Sequence, residues 1–281
     1  MKELAKAADK VAHGDFSVYI PPLHTTNHHD YLDRMILDFN KMVAELGSLE
    51  TMRTDFIANV SHEIKTPVAA IQNYAQLLRK PDLSKTDMDN YTAAILSSTH
   101  RLSALITNIL RLNKLESQQI KPQYEAYDLC RQLSDCALGF EMIWEEKEID
   151  FEADLEDRAT ICADKSLMEL VWNNLLSNAF KFTEPGGSVI LRQTSDSDRV
   201  IVEVSDTGCG MSEEAQKHIF DKFYQGDTSH ATEGNGLGLA LALRVLQLMG
   251  SSIQVRSEEG QGTTFVVQIP TGENEENKIS I

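Results

Sequence analysis

One long apolar repeat constrains the fold of this chain more than any other feature of its sequence. From Leu32 to Leu78, side chains that are apolar except at Arg53 recur at spacings of three and four residues. This pattern predicts a helix of about 50 residues, roughly 75 Å long if straight. Pro67 lies inside the repeat and is expected to kink the helix.

A second apolar repeat runs from Tyr91 to Leu112, after a turn predicted at Pro81 and Asp82. Two long amphipathic helices joined by a short turn form a helical hairpin. The apolar stripe is too wide to be buried by one partner helix alone. We therefore expect two hairpins to pair in a four-helix bundle, which makes the chain a homodimer.

The chain changes character on both sides of this hairpin. Residues 2–13 have helical spacing and end at a glycine, which predicts a separate short helix. From about residue 121, six short β-type runs alternate with helical patterns near 128–147, 164–182 and 236–249. That alternation predicts an α/β layer domain of about 150 residues.

The charge balance excludes several classes of partner. The 281 residues include 26 Lys and Arg against 43 Asp and Glu, a formal net charge of −17. So acidic a surface would repel nucleic-acid phosphates and anionic lipid, which argues against binding either. No apolar run approaches the roughly 20 residues that span a bilayer. The four cysteines form no C-x-x-C pair and no metal pattern, as expected for reduced thiols in the cytoplasm.

A nucleophile, a base and a hydroxyl lie together on the first long helix. His62 is about 200° around the helix from Val60 and should point into solvent. Glu63 could accept the Nδ1 proton and leave Nε2 as the nucleophile, while Thr66 lies one turn on, on the same face. A single histidine on a helix usually has no catalytic role, so it is the neighbouring Glu63 and Thr66 that favour one here.

A polar stripe on a later helix suggests a ligand. Asn174, Asn178 and Lys181 follow helical spacing, with apolar residues on roughly the other side. Asparagine is a poor helix former, amide oxygens suit Mg²⁺, and a lysine suits phosphate. The alternative is a solvated helix face.

Two glycine loops follow that stripe. The loop at 206–210 comes after a strand, so its carboxylate, Asp206, could accept from an exocyclic amine while its glycines let the backbone approach a flat base. The loop at 234–239 opens a helix, whose backbone N–H groups can hold phosphate. Either loop taken alone could be a plain turn.

Together these segments resemble the ordered boxes of bacterial two-component sensor histidine kinases, from about residue 50 to residue 270. SHEIKTP resembles the phosphoacceptor box, NNLLSNAFKFT the asparagine box, DTGCG and GNGLGL the two glycine boxes, and IFDKFYQ the phenylalanine box between them. The resemblance implies a dimeric four-helix phosphotransfer bundle joined to an α/β sandwich with the Bergerat ATP-binding fold.

The resemblance also implies the chemistry. His62 Nε2 would attack the γ-phosphorus of ATP with Glu63 as base, and the phosphoryl group would pass to an aspartate of a response regulator. Thr66 would orient water when the same bundle dephosphorylates that regulator.

In the ATP-binding domain, the resemblance makes Asp206 the adenine-binding carboxylate, with Gly210 making room for the base. Asn174 and Asn178 would hold Mg²⁺, and Lys181 would contact phosphate. An ATP lid would span about 224–235, a segment without Arg or Lys, although related proteins often carry one there. The remaining predicted nucleotide-binding positions are Phe182, Gly208, Phe223, Gly234, Gly236, Leu237 and Gly238.

Residues near the N-terminus resemble, less closely, a HAMP signal-relay domain, through GDFS at 14–17 and FNKM at 39–42. Because HAMP domains normally follow a transmembrane helix, we expect a cytoplasmic portion whose parent is anchored in the bacterial membrane by a missing upstream segment. Three connector histidines, His24, His28 and His29, are expected to be solvated. The predicted divisions are a HAMP-like relay at 1–50, the dimerisation and phosphotransfer hairpin at 51–120, the catalytic ATP-binding domain at 121–272, and a disordered tail at 273–281.

Two alternatives differ in function. A hydrolytic ATPase on the same fold would carry a glutamate in the asparagine box, where this chain has Asn174, and would lack the bundle. A non-catalytic relay would bind ATP or a regulator without phosphorylation, and measurable autophosphorylation would exclude it.

Overall fold

The structure, a computed structural model, comprises two compact units, Met1–Ala69 and Ala70–Ile281. It describes residues 2–23, 31–117, 120–226 and 234–271. Three predicted features lie outside the described residues: the connector histidines, the centre of the lid, and the tail at 273–281.

In the first unit, a short helix and the start of a long one enclose a small apolar core. These are α1 (Lys2–Ala12) and α2 (Tyr31–Leu77), as the sequence predicts. Between them the chain is fixed by the side-chain amide of Asn40, which accepts from the backbone N–H of Ile20 at 3.0 Å and donates to its carbonyl at 2.7 Å. The core residues are Ala7, Ile20 and Ile36, with Leu4, Val18 and Phe39 packed against them.

The long apolar repeat folds as one helix of 47 residues. It continues through the buried Pro67, so the proline does not end α2. Although α2 is long, no helix in the described part of the chain is apolar enough over enough of its length to cross a membrane. Large apolar side chains remain exposed along α2: Leu37, Met42, Leu46, Leu49, Met52 and Ile57.

The second helix of the hairpin is α3 (Lys85–Glu116), which begins after Ser84, whose hydroxyl accepts from the Asp87 N–H at 3.0 Å. The apolar residues of α3 serve two surfaces. Leu96, Ile106 and Leu110 are exposed, whereas Leu105, Leu112 and Leu115 are buried. The sequence assigned Leu105 and Leu112 to the bundle seam. The structure instead buries them within this chain, where α3 packs against the helix Gly238–Leu248.

A five-stranded sheet has the order β2-β4-β5-β7-β6, with only β2 and β4 parallel. A separate two-stranded ladder joins β1 and β3. The six predicted strands all form, and β1 is additional, since it is defined by its pairing with β3. The strands are β1 (Glu125–Asp128), β2 (Asp150–Asp154), β3 (Thr160–Ala163), β4 (Ser188–Ser195), β5 (Arg199–Asp206), β6 (Ser252–Glu258) and β7 (Gly262–Pro270).

Helices cover one face of this sheet, giving the predicted α/β sandwich. The predicted helix at 128–147 is wrong as a single element, since a break at Gly139 and Phe140 divides it in two. Trp172 and Phe180 are fully buried at the centre of the core. The helices are α4 (Leu129–Leu138), α5 (Glu141–Glu146), α6 (Lys165–Phe182), α7 (Glu213–His218) and α8 (Gly238–Leu248).

Candidate functional site

The predicted phosphoacceptor group lies on α2, in the first unit. The His62 side chain is 81% exposed and that of Glu63 is 21% exposed. His62 Nδ1 and Glu63 Oε1 are 4.0 Å apart, too far for a hydrogen bond. The Thr66 hydroxyl donates to the His62 carbonyl at 3.2 Å, within the helix. The imidazole is therefore open to a reaction partner, and Glu63 needs a small side-chain movement to reach it.

A cavity of about 300 Å³ lies in the second unit, between α6, the loop after β5 and the start of α8. It brings together residues from both glycine loops and from the polar stripe of α6. The stripe therefore faces a cavity and not open solvent. The predicted residues that line it are Asn174, Asn178, Lys181, Phe182, Asp206, Gly210, Gly234, Gly236 and Gly238.

One end of the cavity is acidic. Asp206 ends β5, and its Oδ1 accepts from the backbone N–H groups of Gly208 at 2.9 Å and Thr263 at 3.3 Å. Burial raises the pKa of Asp206 to about 6, although the two backbone donors act to lower it. Among the described residues Oδ2 has no hydrogen-bond partner, so it is the oxygen available to a ligand.

The glycines beside Asp206 are required by packing. Gly210 has a φ of +64°, and a Cβ there would collide with the Glu258 carbonyl oxygen. A Cβ on Gly208 would stand 2.5 Å from the Phe182 carbonyl oxygen. The sequence explained Gly210 by the space that a base needs, whereas the structure shows that the protein's own backbone already excludes a side chain.

The other end of the cavity presents amides and an amine. Asn174 Nδ2 donates to the Leu170 carbonyl at 2.7 Å, which turns Oδ1 toward Gly238. A Cβ on Gly238 would collide with this oxygen. The Lys181 ammonium lies 4.4 Å from the centre of the Phe182 ring, and a Cβ on Gly234 would stand 2.9 Å from it. The cavity is therefore lined by a carboxylate next to Gly208 and by an ammonium next to Gly234.

Three predicted positions, Gly208, Phe223 and Leu237, lie behind the cavity wall. Phe223 adopts a φ of 64°, which is uncommon for a side chain of this size. Its N–H donates to the Gly236 carbonyl at 2.9 Å. Leu237 is fully buried. These residues support the wall and do not line the cavity.

Sequence reasoning missed several lining residues, including Asn108 of α3 and Phe265 of β7. A half-buried asparagine inside a long helix is a signal of the kind that marked Asn174, because asparagine disfavours helix interiors. Phe265 carried no such signal, since an aromatic residue in a strand is ordinary.

Two family models match the chain. The "His Kinase A (phospho-acceptor) domain" matches residues 52–118, which include His62, Glu63 and Thr66. The family "Histidine kinase-, DNA gyrase B-, and HSP90-like ATPase" matches residues 163–273, which include most of the cavity. The chain belongs to the sensor histidine kinases.

Curated relatives of this histidine kinase are longer than it is. It is 28% identical to "Sensor histidine kinase YclK" of Bacillus subtilis, over 96% of this chain and 58% of YclK. It is 34% identical to "Drug sensory protein A" of Synechocystis sp., over 77% of this chain and 35% of that protein. The chain thus spans between about a third and three fifths of these relatives.

Solved structures support the fold of this histidine kinase. Full-length ShkA in complex with AMPPNP is 30% identical, with a TM-score of 0.58 over 79% of this chain and 46% of that one. ThkA in complex with the response regulator TrrA is 21% identical, with a TM-score of 0.65 over 80% of this chain and 64% of that one. At that identity the likeness to ThkA shows the fold alone: a helical hairpin with an α/β sandwich.

Proposed function

We propose that this histidine kinase phosphorylates His62 from MgATP and passes the phosphoryl group to an aspartate of a response regulator. The proposal rests on the presence of two sites in one chain. An 81% exposed imidazole lies on a bundle helix, and a cavity lined by both a carboxylate, Asp206, and an ammonium, Lys181, lies in the ATPase-family domain. A nucleoside triphosphate has the matching polarity, with an uncharged base and an anionic tail.

Electrostatic attraction and repulsion determine the orientation of the nucleotide in the cavity. A carboxylate repels phosphate, so the phosphates avoid Asp206, and its Oδ2 accepts from the exocyclic amine of adenine. The triphosphate then lies at the end that holds Lys181, near the first backbone N–H groups of α8. The AMPPNP bound in the ShkA complex agrees with a nucleotide in this family's cavity.

The residues at the phosphate end fit Mg²⁺. Asn174 uses its amide N–H₂ on the Leu170 carbonyl, which leaves the oxygen, the atom that Mg²⁺ prefers, beside Gly238 in the cavity wall. Asn178 adds a second amide. Within the described residues no group of three or more His, Cys, Asp or Glu could hold a metal, so phosphate oxygens and water would complete the ligands. When bound, Mg²⁺ neutralises charge on the phosphates.

At the phosphoacceptor, the Nε2 lone pair of His62 forms the bond to the γ-phosphorus. The bond from that phosphorus to the bridging oxygen breaks, and its electron pair leaves with ADP. Glu63, 4.0 Å away at Nδ1, takes the Nδ1 proton after a small rotation. The high exposure of His62 suits it both to ATP and to a receiver domain. When its hydroxyl rotates away from the His62 carbonyl, Thr66 would position water for dephosphorylation of the regulator.

Dimerisation is part of the proposal. The apolar side chains exposed along α2 and α3 form rows that a single chain leaves uncovered. A second hairpin with the same rows would bury them, as in a four-helix bundle. The regulator as partner is supported by the solved complex of ThkA with the response regulator protein TrrA.

We also propose the relay role of residues 1–50 and a membrane-anchored parent. The small core of α1 and α2 holds the chain between them through Ile20 and Asn40, so a displacement of α1 would be passed to α2. The curated relatives carry sensor names and are longer than this chain.

The test is labelling with γ-³²P-ATP, followed by acid and base treatment. Phosphohistidine is acid-labile and base-stable. Label should appear on the wild type and on His100→Gln, a control with an exposed histidine on the other bundle helix, and should be absent from His62→Gln. ATP affinity should be nearly the same in all three proteins. No label on the wild type, with ATP bound, would favour the non-catalytic relay.

A further inference from the structure

One face of α3 forms part of the cavity wall. Arg101, Leu105, Asn108, Leu112 and Leu115 follow one another at spacings of four and three residues, so they share a face of the helix. The three leucines are buried, and Asn108 lines the cavity. Arg101 Nη2 donates to the Gly234 carbonyl at 3.4 Å. A helix of the phosphotransfer bundle thus meets the nucleotide cavity of its own chain.

Polar contacts hold the C-terminal end of α3 in this place. Lys222 Nζ lies 2.6 Å from Glu116 Oε1. Arg244 of α8 donates to the Leu115 carbonyl at 3.5 Å. With the buried leucines, these contacts fix α3 beside the cavity.

Arg101 contacts the cavity wall at Gly234, at the end that holds Lys181. Gly234 contacts both cations. Its carbonyl accepts from Arg101 and also from Gln225 Nε2 at 3.1 Å. Its α-carbon lies next to the Lys181 ammonium. The lid segment at 224–235 has no Arg or Lys of its own. Arg101 therefore adds, from outside the lid, a second cation beside Lys181 at this end.

We propose that Arg101 binds the triphosphate of ATP held in the same chain, and supplies the cation that the lid lacks. A guanidinium suits this role because its planar set of donors matches phosphate oxygens and is always charged. The inference rests on the proposed function, since it assumes ATP in this cavity. It also implies that the triphosphate favours the arrangement in which α3 is docked, because Arg101 reaches the ligand only there.

The solvent exposure of Arg101 limits how much its loss can change ATP affinity. Arg101 is exposed in the structure, so water and salt screen its charge. We expect the loss of this cation to weaken ATP binding by about 3- to 10-fold at low salt, and less at high salt.

The experiment is calorimetric titration of the full chain with ATP, ADP and adenosine. Arg101→Gln should lose about 3- to 10-fold in ATP affinity, less in ADP affinity, and nothing for adenosine. Arg101→Lys keeps the charge and should lose less ATP affinity than Arg101→Gln. The matched control is Arg111→Gln, an exposed arginine on the same helix, which should bind all three ligands as the wild type does.

Two results would overturn the inference while leaving the proposed function in place. One is unchanged ATP affinity in Arg101→Gln. The other is an equal loss for ATP and adenosine, which would mean that Arg101 only shapes the wall. A wild type that binds neither ATP nor adenosine would instead overturn the proposed function, and this inference with it.

Discussion

The two functional regions of this kinase are built in opposite ways. The phosphoacceptor group lies within five consecutive residues of one helix, where His62 is 81% exposed and the Thr66 hydroxyl donates within α2. The nucleotide cavity joins residues far apart in the chain, such as Asp206 and Thr263 at one end. Changes at the first region should therefore alter chemistry without altering stability, whereas changes at the second should alter both.

The largest expected effect is at Gly210. Gly210→Ala adds a Cβ that collides with the Glu258 carbonyl, at a φ of +64°. We expect a loss of about 3 kcal/mol or more in the free energy of unfolding, measured by urea denaturation. The control is Gly186→Ala, with a φ of +78° and nothing within 4 Å, which should cost only the backbone strain of about 1 kcal/mol. Equal losses would show that the Glu258 contact can relax.

The next effect concerns the buried carboxylate. Asp206→Asn keeps an oxygen for the Gly208 and Thr263 N–H groups but presents an amide N–H₂ donor, in place of an acceptor, to the exocyclic amine of adenine. We expect ATP affinity to fall by about 10- to 100-fold at pH 7. Wild-type ATP affinity should also fall below pH 6, because protonation of Asp206 removes the charge on the acceptor.

The same variant tests stability against pH. The pKa of Asp206 is raised from 3.8 to about 6, so the folded state binds the proton more tightly than the unfolded state between these values. Wild-type stability should therefore decrease as pH rises from 4 to 6, and level off above that, by ~1–3 kcal/mol relative to Asp206→Asn. Parallel urea midpoints for both proteins at pH 4.5 and pH 7 would contradict the burial of this charge.

This contrast explains what the sequence could predict. The chemistry of His62, Glu63 and Thr66 is local, so helical spacing was enough to place them. Strands and helices with a clear period were predicted, whereas β1 and the break at Gly139 were not. The break is made by local turns at 136–140, which helical spacing does not show. The pairing of β1 with β3 and the docking of α3 depend on contacts distant in sequence. An apolar repeat shows that Leu105 and Leu112 are buried, but not that α8 covers them.

The smallest effect on stability is expected at Thr66. Its hydroxyl donates only to the carbonyl one turn back, a bond that contributes little in a helix. Thr66→Ala should therefore change the free energy of unfolding by less than about 0.5 kcal/mol, and autophosphorylation by less than about two-fold. The lifetime of a phosphorylated cognate regulator, however, should lengthen to that without kinase, because no hydroxyl remains to place the water.

Thr99→Ala is the matched control, since Thr99 is exposed on α3 and donates to the Ile95 carbonyl at 2.8 Å in the same way. It should have the same small effect on stability and leave the regulator's lifetime at the wild-type value. A change in stability at Thr66 well beyond that at Thr99 would show that the phosphoacceptor helix depends on contacts outside α2, and that the two regions are less different than the structure indicates.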